Sequence, residues 1–358
     1  MKREPHELLE PRPRDDAITV RPARPADEGA WERFVAACPE ATFFHRFGWR
    51  RLLEHQLRHR THYLVAERGG ALAGVLPLAQ VHSLLFGHSL SSLPFCVYGG
   101  AACGDPAART ALHQAAAALA EDLQVDHLEL RNRTPTEPQW PRQDLYVTFR
   151  KVLDADPDAN LAAIPRKQRA MVRKGMKAGL HSAVEHDVGN FFALYADNVH
   201  RHGTPALPRG WFSALLAEFG ADTEVLTVFD PHGVAVSSVL AFRFRDEVLP
   251  YYAGDRPQAR ELAANDFKYW ELMRRACERG CRVFDYGRSK RGSGSFDFKK
   301  NWGFSPAPLH YEYALVRGSG VPQNNPDNPK YRAFIGLWRR LPRPLANRLG
   351  PLIVRNLG

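Results

Sequence analysis

Apolar and polar residues along this chain fall into two recurring patterns. Ile18 to Arg21 alternates as a short strand, Ala26 to Ala37 repeats its apolar residues at helical spacing from near Asp27, and Trp49, Leu52, Leu53 and Leu57 predict a second helix. Alternating runs at His62 to Glu67 and Ala73 to Val81, joined by Gly69 and Gly70, predict an antiparallel hairpin. An alanine-rich helix from Pro106 to Leu123 leads into a strand at His127 to Leu130. The order α, α, β, β, α, β predicts a mixed sheet flanked by helices.

The second half repeats that order in coarse form. Helices near 190–201 and 209–219 precede strands at Glu224 to Phe229, Val234 to Arg243 and Val248 to Tyr252; a helix from Asn265 to Arg279 and a strand from Arg282 to Tyr286 follow. No residue-level repeat accompanies the repeated order. Two similar α/β domains are therefore expected, and 358 residues suit two cores better than one. The boundaries read as a disordered leader at 1–16, a first domain at 17–153, a second domain at 154–317 with a basic helix at 164–180, and a loop with a basic amphipathic tail at 318–358. Asp154 to Pro165 reads as a connector, and Gly318 to Pro329 as a loop.

Composition narrows the class. With 44% hydrophobic and 25% charged residues the chain can bury a sizeable core. Five cysteines (Cys38, Cys96, Cys103, Cys277 and Cys281) form no CxxC pair, which predicts buried reduced thiols and no structural metal. The N-terminus has no signal-peptide core and no apolar run reaches about 18 residues, so a cytoplasmic protein is expected. The net charge of +10 favours an anionic partner without choosing among RNA, phosphate-bearing substrates and a membrane surface.

Chemistry concentrates in CRVFDYGRSKRGSGSFDFKKNWGF, residues 281–304. Its spacing makes no helical sense, so a strand, a glycine-rich loop and a cationic aromatic patch are expected. Gly287, Gly292 and Gly294 let the backbone approach a ligand, and Arg288, Ser289, Lys290 and Arg291 stand where an anion would meet them, although the glycines do not fit a P-loop. Tyr251, Tyr252, Asp255 and Asp285 lie near strand ends of the same expected cleft and are candidates to bind substrate or accept a proton.

FDYGRS followed by FDFKKNWGF resembles the end of the second domain in Fem-type aminoacyl transferases, most closely the branch associated with the exosortase (PEP-CTERM) and exopolysaccharide system. The likeness extends through IPRKQRAMVRKG, YYAGDR and the tail NPKYRAFIGLWRRLPRPLANRLGPL. It implies two tandem GNAT-like (acyl-CoA N-acyltransferase) domains in which an amine attacks an activated carbonyl. The implied acceptor is a small-molecule or glycan-precursor amine of the cell envelope. Lys299 of the FKK motif, preceded by Phe298, would stabilise the oxyanion, with Lys300 as the alternative. No tightly bound cofactor is implied, and the donor is an aminoacyl-tRNA or an acyl-CoA. Ordinary acetyltransferases hold the coenzyme A pyrophosphate on a glycine-rich turn opening a helix; the corresponding stretch here, Arg260 to Asn265, lacks both glycines.

Two basic segments suggest partners. Arg166, Lys167, Arg169, Arg173, Lys174 and Lys177 fall within about 160° at helical periodicity, a face suited to a tRNA acceptor stem, a pyrophosphate or anionic lipid. In the tail, Phe334, Ile335, Trp338 and Leu341 alternate with Arg332, Arg339, Arg340 and Arg343, a pattern that suits either peripheral membrane contact or packing across the domains. Besides the aminoacyl transferase, an acyl-CoA-dependent N-acyltransferase and a non-catalytic RNA-binding or membrane-docked assembly factor stay open.

Overall fold

The computed structural model describes residues 17–83, 87–322 and 329–356. The expected leader, residues 323–328 of the expected loop and the Arg332 side chain lie outside the described set. The first half runs β1 (Ile18–Pro22), α1 (Glu28–Ala37), α2 (Gly48–Gln56), β2 (Arg60–Thr61), β3 (Leu64–Arg68) and β4 (Ala71–Leu76). It continues with β5 (Ala79–Ser83), β6 (Gly87–Ser91), β7 (Ala102–Cys103), α3 (Pro106–Asp122) and β8 (His127–Asn132). Its strands form two leaves, β1-β3-β4-β7 and a second built around β2-β5-β6-β8. Ala108, Leu112, Ala116 and Ala120, all fully buried and one turn apart, give α3 a smooth face against these leaves.

The second half begins with β9 (Arg142–Gln143), β10 (Tyr146–Val152), α4 (Pro157–Ala163), α5 (Arg166–Lys177), β11 (His181–Glu185), α6 (Gly189–Arg201) and α7 (Arg209–Phe219). Next come β12 (Thr223–Phe229), β13 (Ala235–Phe244), β14 (Glu247–Asp255), α8 (Ala264–Glu278), β15 (Val283–Lys290), α9 (Gly294–Asn301), β16 (Pro306–Pro308), β17 (His310–Leu315), α10 (Pro329–Trp338) and α11 (Arg343–Val354). The sheet order is β11-β12-β13-β14-β15-β10-β16.

Each half thus forms a mixed sheet flanked by helices, but the sheets cross the boundary expected at residue 153. β10, which ends the expected first domain, pairs antiparallel with β15 in the second sheet. β17, from the expected second domain, pairs antiparallel with β8 in the first. The halves exchange closing strands. Glu312 on β17 is fully buried and accepts hydrogen bonds from Asn132 Nδ2 at 2.8 Å, Thr136 Oγ1 at 2.6 Å and the backbone N–H of Glu137.

The halves also share a core. Phe43 stacks on Phe242 with ring centroids 4.3 Å apart, and Trp49 packs against Trp211 and Phe219. Each such aromatic pair adds about 1 kcal/mol beyond the area it buries. At the rim of this seam Arg46 pairs with Asp222 and Arg51 with Glu218.

Two local expectations change. The connector at 154–165 contains α4, capped by the Asp156 side chain on the Asp158 N–H. Residues 294–301, expected as non-helical, form α9 after Ser293 accepts from the Phe296 N–H; β15 extends through Lys290, so Arg288, Ser289 and Lys290 lie on a strand rather than in a loop.

Candidate active site

β13 and β14 pair antiparallel up to Leu240 and Tyr252, after which Ala241 faces Pro250, so Tyr251 is an extra residue on β14. Pro250 has no N–H to donate and marks the same break. On its other edge β14 meets β15 in parallel, and the two pair only at Glu247 with Val283 and Val248 with Phe284. Beyond that point they diverge. A cleft of about 430 Å³ opens between Pro250–Tyr252 and Tyr286–Arg288, with Ser295 and Lys299 of α9 on its wall and Phe95, Val97 and Arg131 entering from the first half.

Backbone geometry shapes that wall. Gly287 has φ of +63°, and its N–H donates to Asp285 Oδ1 at 2.8 Å. The adjoining carbonyls turn toward α9, where Lys299 Nζ donates to Tyr286 O at 2.7 Å, Gly287 O at 3.1 Å and Arg288 O at 3.1 Å. Three carbonyls use all three donors of an ammonium. Lys299 therefore contributes its charge to the cleft rather than an unused N–H. Only 9% of the residue is exposed, and burial pulls its pKa down to about 7, with Asp285 opposing and Arg288 assisting.

The other expected site residues divide. Tyr252 and Arg288 line the cleft with Lys299. Trp211 Nε1 donates to the Tyr252 hydroxyl at 3.3 Å, and the Arg288 guanidinium lies 4.5 Å from the Tyr146 ring centroid. Asp285 does not face the cleft: it is fully buried beneath it, beside Arg150 Nε at 3.2 Å and accepting from the Tyr98 hydroxyl at 3.0 Å. Asp255 is likewise engaged elsewhere, by Lys268 Nζ at 2.8 Å and by the Ser237 hydroxyl. Ser289 is buried against Ser295, Lys290 is half-buried where β15 meets Tyr146, and Phe298 packs behind the wall on Tyr269 and Trp302. Lys300 points to solvent, which leaves Lys299 as the cleft lysine.

The basic helix forms as α5, packed through Gly175 on Phe267 of α8. Arg166, Lys167, Arg173, Lys174 and Lys177 are exposed and have no ion pair among the described residues; Arg169 donates to Ala162 O at 2.6 Å. Pro165, just before α5, lies against Gly303, two residues beyond α9. The cationic face thus begins beside the site-bearing helix.

Sequence reasoning missed Phe95, Val97 and Arg131. Glu129 and Arg131 alternate on a buried strand and form an ion pair at 2.7 Å, a charged pair that marks β8 as more than core.

Coenzyme A is the group this fold implies, and the residues do not fit its pyrophosphate. Ala263, at the first glycine position, sits at φ of +55° and is 2% exposed, and Asn265 stands at the second, so side chains occupy both places that glycines would leave open. Asp266 already places a carboxylate in the first turn of α8, held by Trp302 Nε1 at 2.9 Å.

This fold is that of tandem GNAT domains, and residues 166–300 match the acetyltransferase (GNAT) domain family. Over 119 residues the chain is 28% identical to the UDP-N-acetylmuramoylpentapeptide-lysine N(6)-alanyltransferase of Weissella viridescens, a match spanning 32% of this chain and 34% of that enzyme. The crystal structure of FemX aligns with a TM-score of 0.64 at 13% identity, over 84% of this chain and 98% of FemX. The C-terminal domain of a putative lysylphosphatidylglycerol synthetase from Agrobacterium fabrum aligns at 0.56 and 13% identity, covering 82% and 93%. A tandem GNAT protein from the clavulanic acid pathway aligns at 0.54 and 13%, covering 85% and 100%.

Proposed function

We propose that this chain transfers an activated aminoacyl group to an amine on a cell-envelope precursor, forming an amide. The observation that carries this reading is the divergence of β14 from β15, which opens a cleft with a buried lysine on its wall at the centre of a GNAT-type domain. Attack of the amine on the carbonyl develops negative charge on oxygen. The Lys299 charge and the backbone released at the Tyr251 bulge are the groups placed to stabilise it, while the aromatic walls orient the carbonyl and limit water. Collapse of the tetrahedral intermediate expels the donor's leaving group, and the amine proton leaves to solvent or to that group.

An aminoacyl-tRNA donor is favoured over acyl-CoA by the filled turn at Ala263, by Asp266 and by the unpaired cations of α5. The Weissella enzyme's name supplies the precedent of an aminoacyl group joined to a lysine amine of a cell-wall precursor. The tail motifs extend the proposed acceptors to exopolysaccharide precursors, with transfer in the cytoplasm or at the inner membrane face.

The test incubates purified protein with a pool of charged tRNAs and amine-bearing nucleotide-sugar precursors, and reads acceptor mass. Appearance of an aminoacyl adduct with wild type but not with Lys299→Met supports the reading. Transfer from acyl-CoA instead, or equal transfer by the variant, overturns the donor or the site.

A further inference from the structure

A second cavity lies on the first half, separated from the cleft by Phe95, on whose ring His59 stacks with centroids 6.0 Å apart. It encloses about 630 Å³ and is lined by Arg58, Arg60, His59, His82, His88 and Arg355, together with Leu57, Gln80 and Asn356. No carboxylate lines it; Asp126, which accepts from the His88 backbone N–H at 2.8 Å, is the acid beside it. Arg58, Arg60 and Arg355 have no ion pair among the described residues. His59 is only 6% exposed, its ring set beside the backbone of Gln80 and Arg355 on the same wall. Three guanidiniums around one cavity with no carboxylate among its lining residues concentrate positive charge there, a field that favours an anion. Arg58 is also held at φ of +58°, a strained backbone for a long side chain.

The end of α11 supplies one wall and an apolar approach to it. Leu345, Leu349 and Leu352 are exposed by 43%, 37% and 56%. They recur at four- and three-residue steps, and the next residue on that line, Asn356, lines the cavity. Leu337 of α10 is 65% exposed on the same terminal segment, and Arg339, Arg340 and Arg348 are exposed around it. A stripe of leucine bordered by arginine is the pattern of a helix lying in a membrane interface.

We infer that the cavity takes the phosphate headgroup of an anionic membrane lipid, delivered by α11 lying in the membrane surface. Charge complementarity and the continuity of the leucine stripe with the cavity favour a lipid over a free phosphate. This assignment does not rest on the aminoacyl-transfer reading, and its test involves no catalysis.

The test measures co-sedimentation with phosphatidylcholine vesicles containing phosphatidic acid or phosphatidylglycerol at matched surface charge, with pyrophosphate binding followed by calorimetry. Wild type should favour phosphatidic acid by about tenfold, since a phosphomonoester offers the guanidiniums more charge and more acceptor oxygens than a diester. Arg58→Ala with Arg60→Ala and Arg355→Ala should remove that preference. Leu345→Ser with Leu349→Ser and Leu352→Ser should lose vesicle binding while keeping any pyrophosphate binding, and an unchanged thermal midpoint in both triple variants shows that each stays folded. Equal binding to the two lipids, or an undiminished preference in the arginine variant, overturns the headgroup site. Wild-type protein that binds pyrophosphate but neither kind of vesicle overturns the membrane source.

Discussion

Lys299 is where sequence and structure meet most closely and where the chemistry differs from its simplest reading. The FKK motif singled it out, but no spacing in the sequence shows that its three donors are spent on the carbonyls of residues 286–288. An electrostatic role predicts a particular pH profile. With a pKa of about 7, the fraction of protein carrying the charge falls as pH rises through neutrality, so kcat/KM for transfer should fall on the alkaline side. Lys299→Arg, which does not titrate there, should flatten that limb, while Lys299→Met should cost about 10²-fold below pH 7, a cost that shrinks as the wild-type lysine loses its proton. Stability moves the other way. An unfolded lysine keeps its proton to about pH 10.4, so between about 7 and that value the unfolded chain binds more protons. The burial cost is thus fully present below pH 7 and is relieved as pH rises. Chemical denaturation of wild type against Lys299→Met, repeated at pH 6 and pH 9, checks the sign. Asp285 was not legible as a buried partner, because a strand-end aspartate does not announce the arginine that another strand brings to it. Asp285→Asn should cost about 3 kcal/mol by weakening the compensation of Arg150, read as a lowered denaturation midpoint.

At the scale of elements, the amphipathic helices were readable because their burial follows their own period. α5 is the clearest case: the six cations cover one arc, while Val172 and Gly175 are buried on the other. α9 was not readable, since Gly294, Ser295, Asp297 and Asn301 are weak helix formers and the helix depends on its Ser293 cap and on packing behind the cleft. The glycine of YYAGDR marks a close approach. A Cβ on Gly254 would lie 2.4 Å from the α6 backbone at Leu194 and Tyr195, atoms that cannot turn aside. Gly254→Ala should force α6 away from β14 and cost about 3 kcal/mol in urea unfolding, the upper end of overpacking. The cation face makes a prediction at this scale too. Replacing Arg166, Arg173 and Lys177 by glutamine should reduce the slope of log affinity against log salt for charged tRNA by about 3, if each meets one phosphate. An unchanged slope would place the RNA elsewhere.

Across the whole molecule, two α/β units were legible from the repeated order of elements, while the exchange between them was not. Period-two alternation identifies a strand but not its partner, and the partners here lie far apart in sequence: Asn132 and Glu312 are separated by 180 residues. The exchange sets the order in which the protein can be made. During synthesis β8 leaves the ribosome long before β17 exists, so the first sheet waits with an unpaired edge until β17 has been translated. Completion of the first sheet is thereby tied to a strand some 180 residues downstream. A message truncated before His310 would yield no smaller working unit, only an open strand edge for other chains to find, and so a substrate for chaperones and proteases.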